Sequence, residues 1–234
     1  MRYLGGKARI AKKLVEVLEG YRLPNQVFVE PFVGGCNITP LMTGSRIASD
    51  LLEEVILFYT ALQRGYEPPK VVTELEYKYL KDSPPSPLKG FVGIACSYSG
   101  KFFGGYARSG DRNYALNGYN TAKKTAPKIQ GVDFRHCSYL DLELPDNSLI
   151  YCDPPYISTT KYSTGKFDSE AFWNWCRGKA EDGHTVIISE YSAPDDFVEI
   201  WSIERNLEMR ANKSSTEKRT ERLFMLKRKE IFNV

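Results

Sequence analysis

Apolar positions along this chain follow two spacings that take turns. Compact runs recur at Val27-Phe28-Val29, Arg46 to Asp50, Val132 to Cys137, Leu149-Ile150-Tyr151-Cys152 and Thr185 to Ser189. Short apolar runs of this kind, bounded by turn formers, predict buried strands. Between them the spacing becomes helical. Ala8 to Leu18 sets Ile10, Leu14, Val15 and Leu18 on one face, and Leu52 to Gln63 gathers Val55, Ile56, Phe58, Tyr59 and Leu62. A third helix is predicted from Ser169 to Lys179, and Phe197 to Trp201 with Leu223 to Leu226 predict a closing β-hairpin. Alternating strands and helices point to an α/β fold on a doubly wound sheet.

The pattern lapses in the middle. Glu67-Pro68-Pro69 and Ser83-Pro84-Pro85-Ser86-Pro87 are breakers, and the stretch that follows to about Gly131 is rich in Gly, Ser and Tyr with little amphipathic periodicity. The predicted organisation is a core domain of residues 1–63 and 132–234, interrupted by an inserted segment of residues 64–131. Charge sets that segment apart. The whole chain carries a net charge of only +3, yet Lys89, Lys101, Arg108, Arg112, Lys123, Lys124 and Lys128 face Asp111 alone between positions 89 and 128. Phe91, Tyr98, Phe102, Phe103, Tyr106, Tyr114 and Tyr119 interleave with them. Basic residues neutralise phosphates and exposed rings stack on bases, so the segment is a candidate nucleic-acid surface, the alternative being a solvated tyrosine-rich loop.

Composition narrows the remaining choices. No apolar run approaches the 18 or more residues of a membrane helix, and Met1-Arg2-Tyr3-Leu4-Gly5-Gly6-Lys7 has no apolar secretory core, so a cytoplasmic protein without membrane contact is expected. Five cysteines form no C-x-x-C pair and there are two histidines, which predicts free thiols in a reducing compartment and no metal site.

The candidate chemistry lies where strands end. The strand Leu149 to Cys152 runs into Asp153-Pro154-Pro155-Tyr156. Prolines cannot continue a β ladder, and Pro154 biases Asp153 towards an extended backbone. This holds the carboxylate at the strand's C-terminal lip, where open α/β sheets bind ligands. Taken alone, the tetrapeptide also reads as a plain strand exit. Glu30-Pro31-Phe32-Val33-Gly34-Gly35 follows another strand and offers a tight glycine turn. Asp50 ends the next strand, 16 positions beyond Gly34, near the spacing at which an acid meets ribose hydroxyls.

Read in order, these pieces resemble a known family. Tyr3-Leu4-Gly5-Gly6-Lys7 resembles the W-A-G-G-K motif of Dam-type (D12 class) DNA adenine-N6 methyltransferases, and Glu30 to Cys36 their E-P-F-x-G-x-G motif. Ala48-Ser49-Asp50 resembles the A-D-I-N element, and Asp153-Pro154-Pro155-Tyr156 their catalytic D-P-P-Y. The motif order is that of the α group. Cys36 stands at the family's second glycine, so the turn is expected to use Gly34 and Gly35 instead.

The resemblance implies a Rossmann-like S-adenosylmethionine-dependent methyltransferase sheet with an inserted target-recognition domain. Its substrate would be double-stranded DNA, and the methyl donor S-adenosylmethionine, with no metal. Tyr3, Lys7, Glu30, Phe32, Gly34, Asp50 and Asp153 would form the donor site. Asp153 and the Pro154 carbonyl would hold the adenine amino group, and Tyr156 would stack on the flipped base. Lys101, Arg108, Arg112, Lys123 and Lys124 are the DNA-binding candidates, with base and phosphate contact both open for Arg108 and Arg112. The insertion lacks the N-G-x-x-R-Y-N pattern of GATC enzymes, so its target sequence stays open. A monomer or weak dimer in a bacterial or phage-infected host is expected. A solitary, restriction-associated or phage-protective enzyme would look alike here. Two rivals remain: transfer to cytosine N4 or to RNA, and a catalytically silent nucleic-acid-binding module. Cytosine C5 chemistry is disfavoured because no Pro-Cys pair supplies a nucleophile.

Overall fold

The structure, a computed structural model, describes residues 1–155, 167–208 and 216–227. Seven strands form one sheet in the order β3-β2-β1-β4-β5-β7-β6. They are β1 (Phe28–Glu30), β2 (Arg46–Asp50), β3 (Val132–His136), β4 (Leu149–Cys152), β5 (Thr185–Glu190), β6 (Phe197–Glu208) and β7 (Thr216–Leu226). The first five pair in parallel, with Phe28 opposite both Arg46 and Leu149. β7 joins β5 antiparallel and β6 pairs with it as a hairpin. The sheet is Rossmann-like and doubly wound, and the strands legible in the sequence are all present. The hairpin is longer than its apolar residues alone suggested.

Alternation within the central strands explains the layers. Val29, Ile150, Cys152, Val186 and Ile188 point to one face, which α6 (Ser169–Glu181) covers through Phe172, Trp173 and Cys176. Phe28, Leu149, Tyr151 and Ile187 point to the other face, under Leu14 and Leu18 of α1 (Ala11–Tyr21). Strands buried on both faces read as continuous apolar runs, which is why the sequence marked them so clearly.

The middle of the chain is regular despite its weak periodicity. It folds into α3 (Glu74–Lys81), α4 (Pro87–Ala95) and α5 (Tyr114–Thr125), packed about α2 (Glu53–Gln63) in one continuous apolar cluster with Val33, Ala48 and Val55. Glu67-Pro68-Pro69 lies in the coil between α2 and α3, whereas the second breaker, Ser83 to Pro87, leads into a helix start. Pro87 occupies the first turn of α4 and the Ser86 side chain accepts from the Lys89 N–H, while Thr73 and Glu76 form a capping box on α3. Glycine inside α4 serves contact: a Cβ on Gly90 would lie 1.9 Å from the Glu54 carbonyl oxygen of α2. Gly90→Ala is therefore expected to push the helices apart. Overpacking costs about 1–3 kcal/mol, a fall of roughly 2–12 °C in Tm for a chain this size. A melting curve that matches the parent's would contradict this packing.

Candidate active site

Strand order decides where the chemistry meets. Connections run outward from β1 through β2 to β3 on one side and from β4 to β5 on the other, so the direction reverses between β1 and β4. Ligands bind outside the carboxyl ends of strands at such a reversal. There the structure opens a cleft at the carboxyl ends of the strands. Tyr3, Lys7, Glu30, Phe32, Gly34, Asp50, Asp153 and Pro154 all line it. Segments 146 residues apart, carrying Lys7 and Asp153, come into contact there. Tyr156 lies outside the described residues.

Each carboxylate at the strand ends has a distinct setting. Asp50 accepts from the Gly34 N–H at 2.8 Å through one oxygen and from the Leu52 N–H at 2.9 Å through the other. Burial pushes this carboxyl above its usual range, and those backbone bonds oppose the shift. A carboxylate offers about four acceptor positions, more than these backbone groups use, so acceptor capacity remains for a ligand's hydroxyl. Glu30 is turned onto Thr39, accepting from its backbone N–H at 3.0 Å and from its hydroxyl. Burial raises Glu30 to about 8 despite those bonds, and Asp153 and Asp50 push the same way.

Lys7 is buried, and its ammonium lies 2.8 Å from Asp153 and 3.5 Å from Glu221 of β7. Burial pulls the ammonium down, but the two carboxylates outweigh it and leave Lys7 above its ordinary value. Sequence reading placed Lys7 in the donor pocket and missed Glu221. No local pattern marks Glu221, because its role depends on β7 pairing beside β5.

The glycine turn is built differently from the expectation. The left-handed residues are Gly34 (φ 39°) and Cys36 (φ 49°), not Gly34 and Gly35. Cys36, at the position of the motif's second glycine, is itself left-handed, at a cost of roughly 1–2 kcal/mol for a residue with a Cβ. Gly35 is needed for space, since a Cβ there would come within 2.8 Å of Tyr3 Cβ and Asn37 Nδ2. Tyr3 lies directly behind the turn, because a Cβ on Gly34 would meet its ring at 2.8 Å. Burial drives the Cys36 thiol far above its ordinary value, so it is a packing group and not a nucleophile.

One wall of the cleft is aromatic. Phe32 packs on Tyr139 with centroids 5.3 Å apart and edge-on to Phe167 at 6.1 Å. Tyr139 and Phe167 line the cleft and escaped the sequence reading, although Tyr139 sits just past the end of β3, where the strand-lip argument applies equally. The basic candidates Lys101, Arg108, Arg112, Lys123 and Lys124 lie outside the cleft lining. Arg108 pairs with Glu74 and Lys123 with Glu67 at 2.7 Å, while Lys89 pairs with Glu54 at 3.1 Å. Their acidic partners fall just outside the window that looked so basic. Among the described residues no cluster of His, Cys, Asp and Glu is arranged to hold a metal ion.

Fold and site together define a Rossmann-like protein with a cleft at its switch point, furnished with a glycine turn and strand-end carboxylates. Residues 3–92 match the family model of the D12 class N6 adenine-specific DNA methyltransferases. The matched stretch carries Tyr3, Lys7, Glu30, Phe32, Gly34 and Asp50 and stops short of Asp153. It supports S-adenosylmethionine-dependent methyl transfer. Among solved structures, the chain is similar to a "putative RNA methyltransferase" from Pyrococcus horikoshii at 11% identity and a TM-score of 0.41, over 92% of this chain and 80% of that one. It is also similar to SMU.472, "a putative methyltransferase complexed with SAH", at 12% identity and a TM-score of 0.34, over 98% of this chain and 56% of that one. Likeness at this level is no guide to substrate. No curated protein matches the sequence.

Proposed function

We propose that this protein transfers a methyl group from S-adenosylmethionine to the N6 amino group of adenine in double-stranded DNA. The observation that carries the proposal is the convergence of the Tyr3–Lys7 loop, the Gly34 turn, Asp50 and Asp153-Pro154 on one cleft. The cleft fits the donor: Asp50 has acceptor positions left for ribose hydroxyls, Gly34 lets the backbone come close, and Phe32 and Tyr139 supply an apolar wall. When bound, the donor supplies an electrophilic methyl group on a sulfonium.

The protein's own part is positioning. The adenine amino nitrogen is a poor nucleophile because its lone pair is delocalised into the ring. The Asp153 carboxylate and the Pro154 carbonyl accept its two N–H groups, which turns the lone pair out of the ring plane and towards the methyl. Lys7 fixes one Asp153 oxygen for that task. Transfer is direct, through positioning and electrostatics, and requires no covalent enzyme–base adduct. N6 is inaccessible within a duplex, so the base leaves the stack, with Tyr156 as its stacking partner. Residues 64–131 contribute target recognition, with Lys101, Arg108, Lys123 and Lys124 as phosphate-facing candidates.

Two measurements bear on this reading. Protein incubated with methyl-labelled donor should label duplex DNA that contains adenine; label confined to RNA, or to duplexes without adenine, would overturn the substrate assignment. Asp50→Ala should weaken donor binding by about ten- to a hundredfold, since hydrogen bonds to a charged group contribute about 1.5–3 kcal/mol. Calorimetry on the folded variant checks this, and unchanged affinity would remove Asp50 from the donor site.

A further inference from the structure

We infer that Arg2 and Arg112, gathered on the ring of Tyr114 at the N-terminal end of α5, form a clamp for a backbone phosphate of the nucleic acid beside the cleft. The inference rests on the nucleic-acid reading above and adds a site to it. Arg2 comes from the loop that carries the cleft residues Tyr3 and Lys7, while Arg112 comes from the basic segment. Their guanidinium carbons lie 5.5 Å and 5.8 Å from the centroid of the same ring. Against its burial, Arg2, Arg112 and Ser109 pull the Tyr114 hydroxyl below its ordinary value.

Gathering two like charges on one neutral ring is unfavourable unless an anion offsets them. Neither Arg2 nor Arg112 is ion-paired with a carboxylate among the described residues, in contrast to Lys89, Arg108 and Lys123. The positive end of the twelve-residue helix α5 begins at the same place and adds to the field.

The site is held in shape. The Arg112 N–H donates to the Ser109 carbonyl at 3.1 Å, the Asn113 side chain caps α5 through the Leu116 N–H, and Asn113 Nδ2 donates to the Lys70 carbonyl at 3.0 Å. Each guanidinium carries five N–H donors in a planar fork, more than the Tyr114 ring side can engage, and such a fork grips a phosphate through two parallel hydrogen bonds. Arg2 and Tyr3 have Cα atoms about 3.8 Å apart, so the phosphate gripped here is one close to the nucleotide that enters the cleft.

Duplex binding to the parent protein, Arg2→Gln, Arg112→Gln and Arg112→Lys, measured by fluorescence anisotropy from low to high salt, tests the clamp. Each glutamine variant should lower the slope of log affinity against log salt by about 0.9, which makes binding about eightfold weaker at 0.1 M salt, equally for duplexes of different sequence. Arg112→Lys keeps the charge and should restore the slope. Folded glutamine variants with the parent's slope would overturn the clamp while leaving the proposed function standing. A loss that depends on base sequence would also overturn it, by assigning these arginines to base edges. A parent protein that binds no DNA at any salt would overturn the clamp and the nucleic-acid reading together.

Discussion

Asp153→Ala is expected to lower the rate of methyl transfer by about 10²–10⁴-fold, the range for losing a group that acts at the reacting atom. The reason is geometric. Asp153 leaves the end of β4 at the switch point, is fixed there by the Lys7 ammonium at 2.8 Å, and lines the cleft with the Pro154 that would share its task. Alanine removes the acceptor that draws the amino lone pair out of conjugation. Asp153→Asn should recover only part of the activity, because the amide keeps a carbonyl acceptor but loses the charge that stabilises a developing positive nitrogen. DNA binding should survive in both variants, since the basic candidates lie outside the cleft. Single-turnover rates with saturating donor and duplex are the measurement. Rates within a few-fold of the parent would show that Asp153 does not touch the reacting atoms.

Lys7→Met should produce the largest loss of stability of any single change at the site. The Lys7 side chain is 1% exposed, and its partners Asp153 and Glu221 are 19% and 11% exposed. Methionine fills much of the same volume but leaves two enclosed carboxylates without the Lys7 ammonium. Removing one partner from a buried ionic cluster costs about 3–5 kcal/mol, which corresponds to a fall in Tm of roughly 6–20 °C for a chain of this size. Adding Glu221→Gln to Lys7→Met removes one of the stranded charges and should recover part of the loss, giving a clear coupling in a double-mutant cycle. Additive effects, or a Tm close to the parent's for Lys7→Met alone, would show that the ammonium is not what holds the two carboxylates together.

Much of this site could be read from sequence because its parts are local. A strand end followed by Pro-Pro, a glycine turn and an acid at the next strand end each leave a signature within a few residues, and all three arrive at the same cleft. Cys36 shows the limit of motif reading. A missing glycine suggested that the turn moved to its neighbour, whereas the cysteine at that position is itself left-handed. The contacts that escaped notice are those fixed by tertiary pairing. Glu221 reaches Lys7 only because β7 inserts beside β5, and nothing in the residues around it specifies that neighbour.

The helices of residues 74–125 escaped for a different reason. α3 leaves Leu75 and Tyr79 exposed at 80% and 76%, so its apolar residues mark no single face. α4 carries Gly90 and Gly93, which lower intrinsic helix preference yet permit the close approach to its neighbours. Tertiary packing sustains these helices against weak local preference, and packing is not visible in a window of a dozen residues. The charge count misled in the same way: counting along the chain from residue 89 left out Glu54, Glu67 and Glu74, which the fold brings against Lys89, Lys123 and Arg108.

The central claim is tested most directly by the product. Duplex DNA treated with the protein and S-adenosylmethionine, digested to nucleosides and analysed by mass spectrometry, should contain N6-methyladenine, and the Asp153→Ala protein should yield almost none. Methylation found only as N4- or C5-methylcytosine, or N6-methyladenine formed equally well without the Asp153 carboxylate, would contradict the assignment of this cleft to adenine N6 methylation.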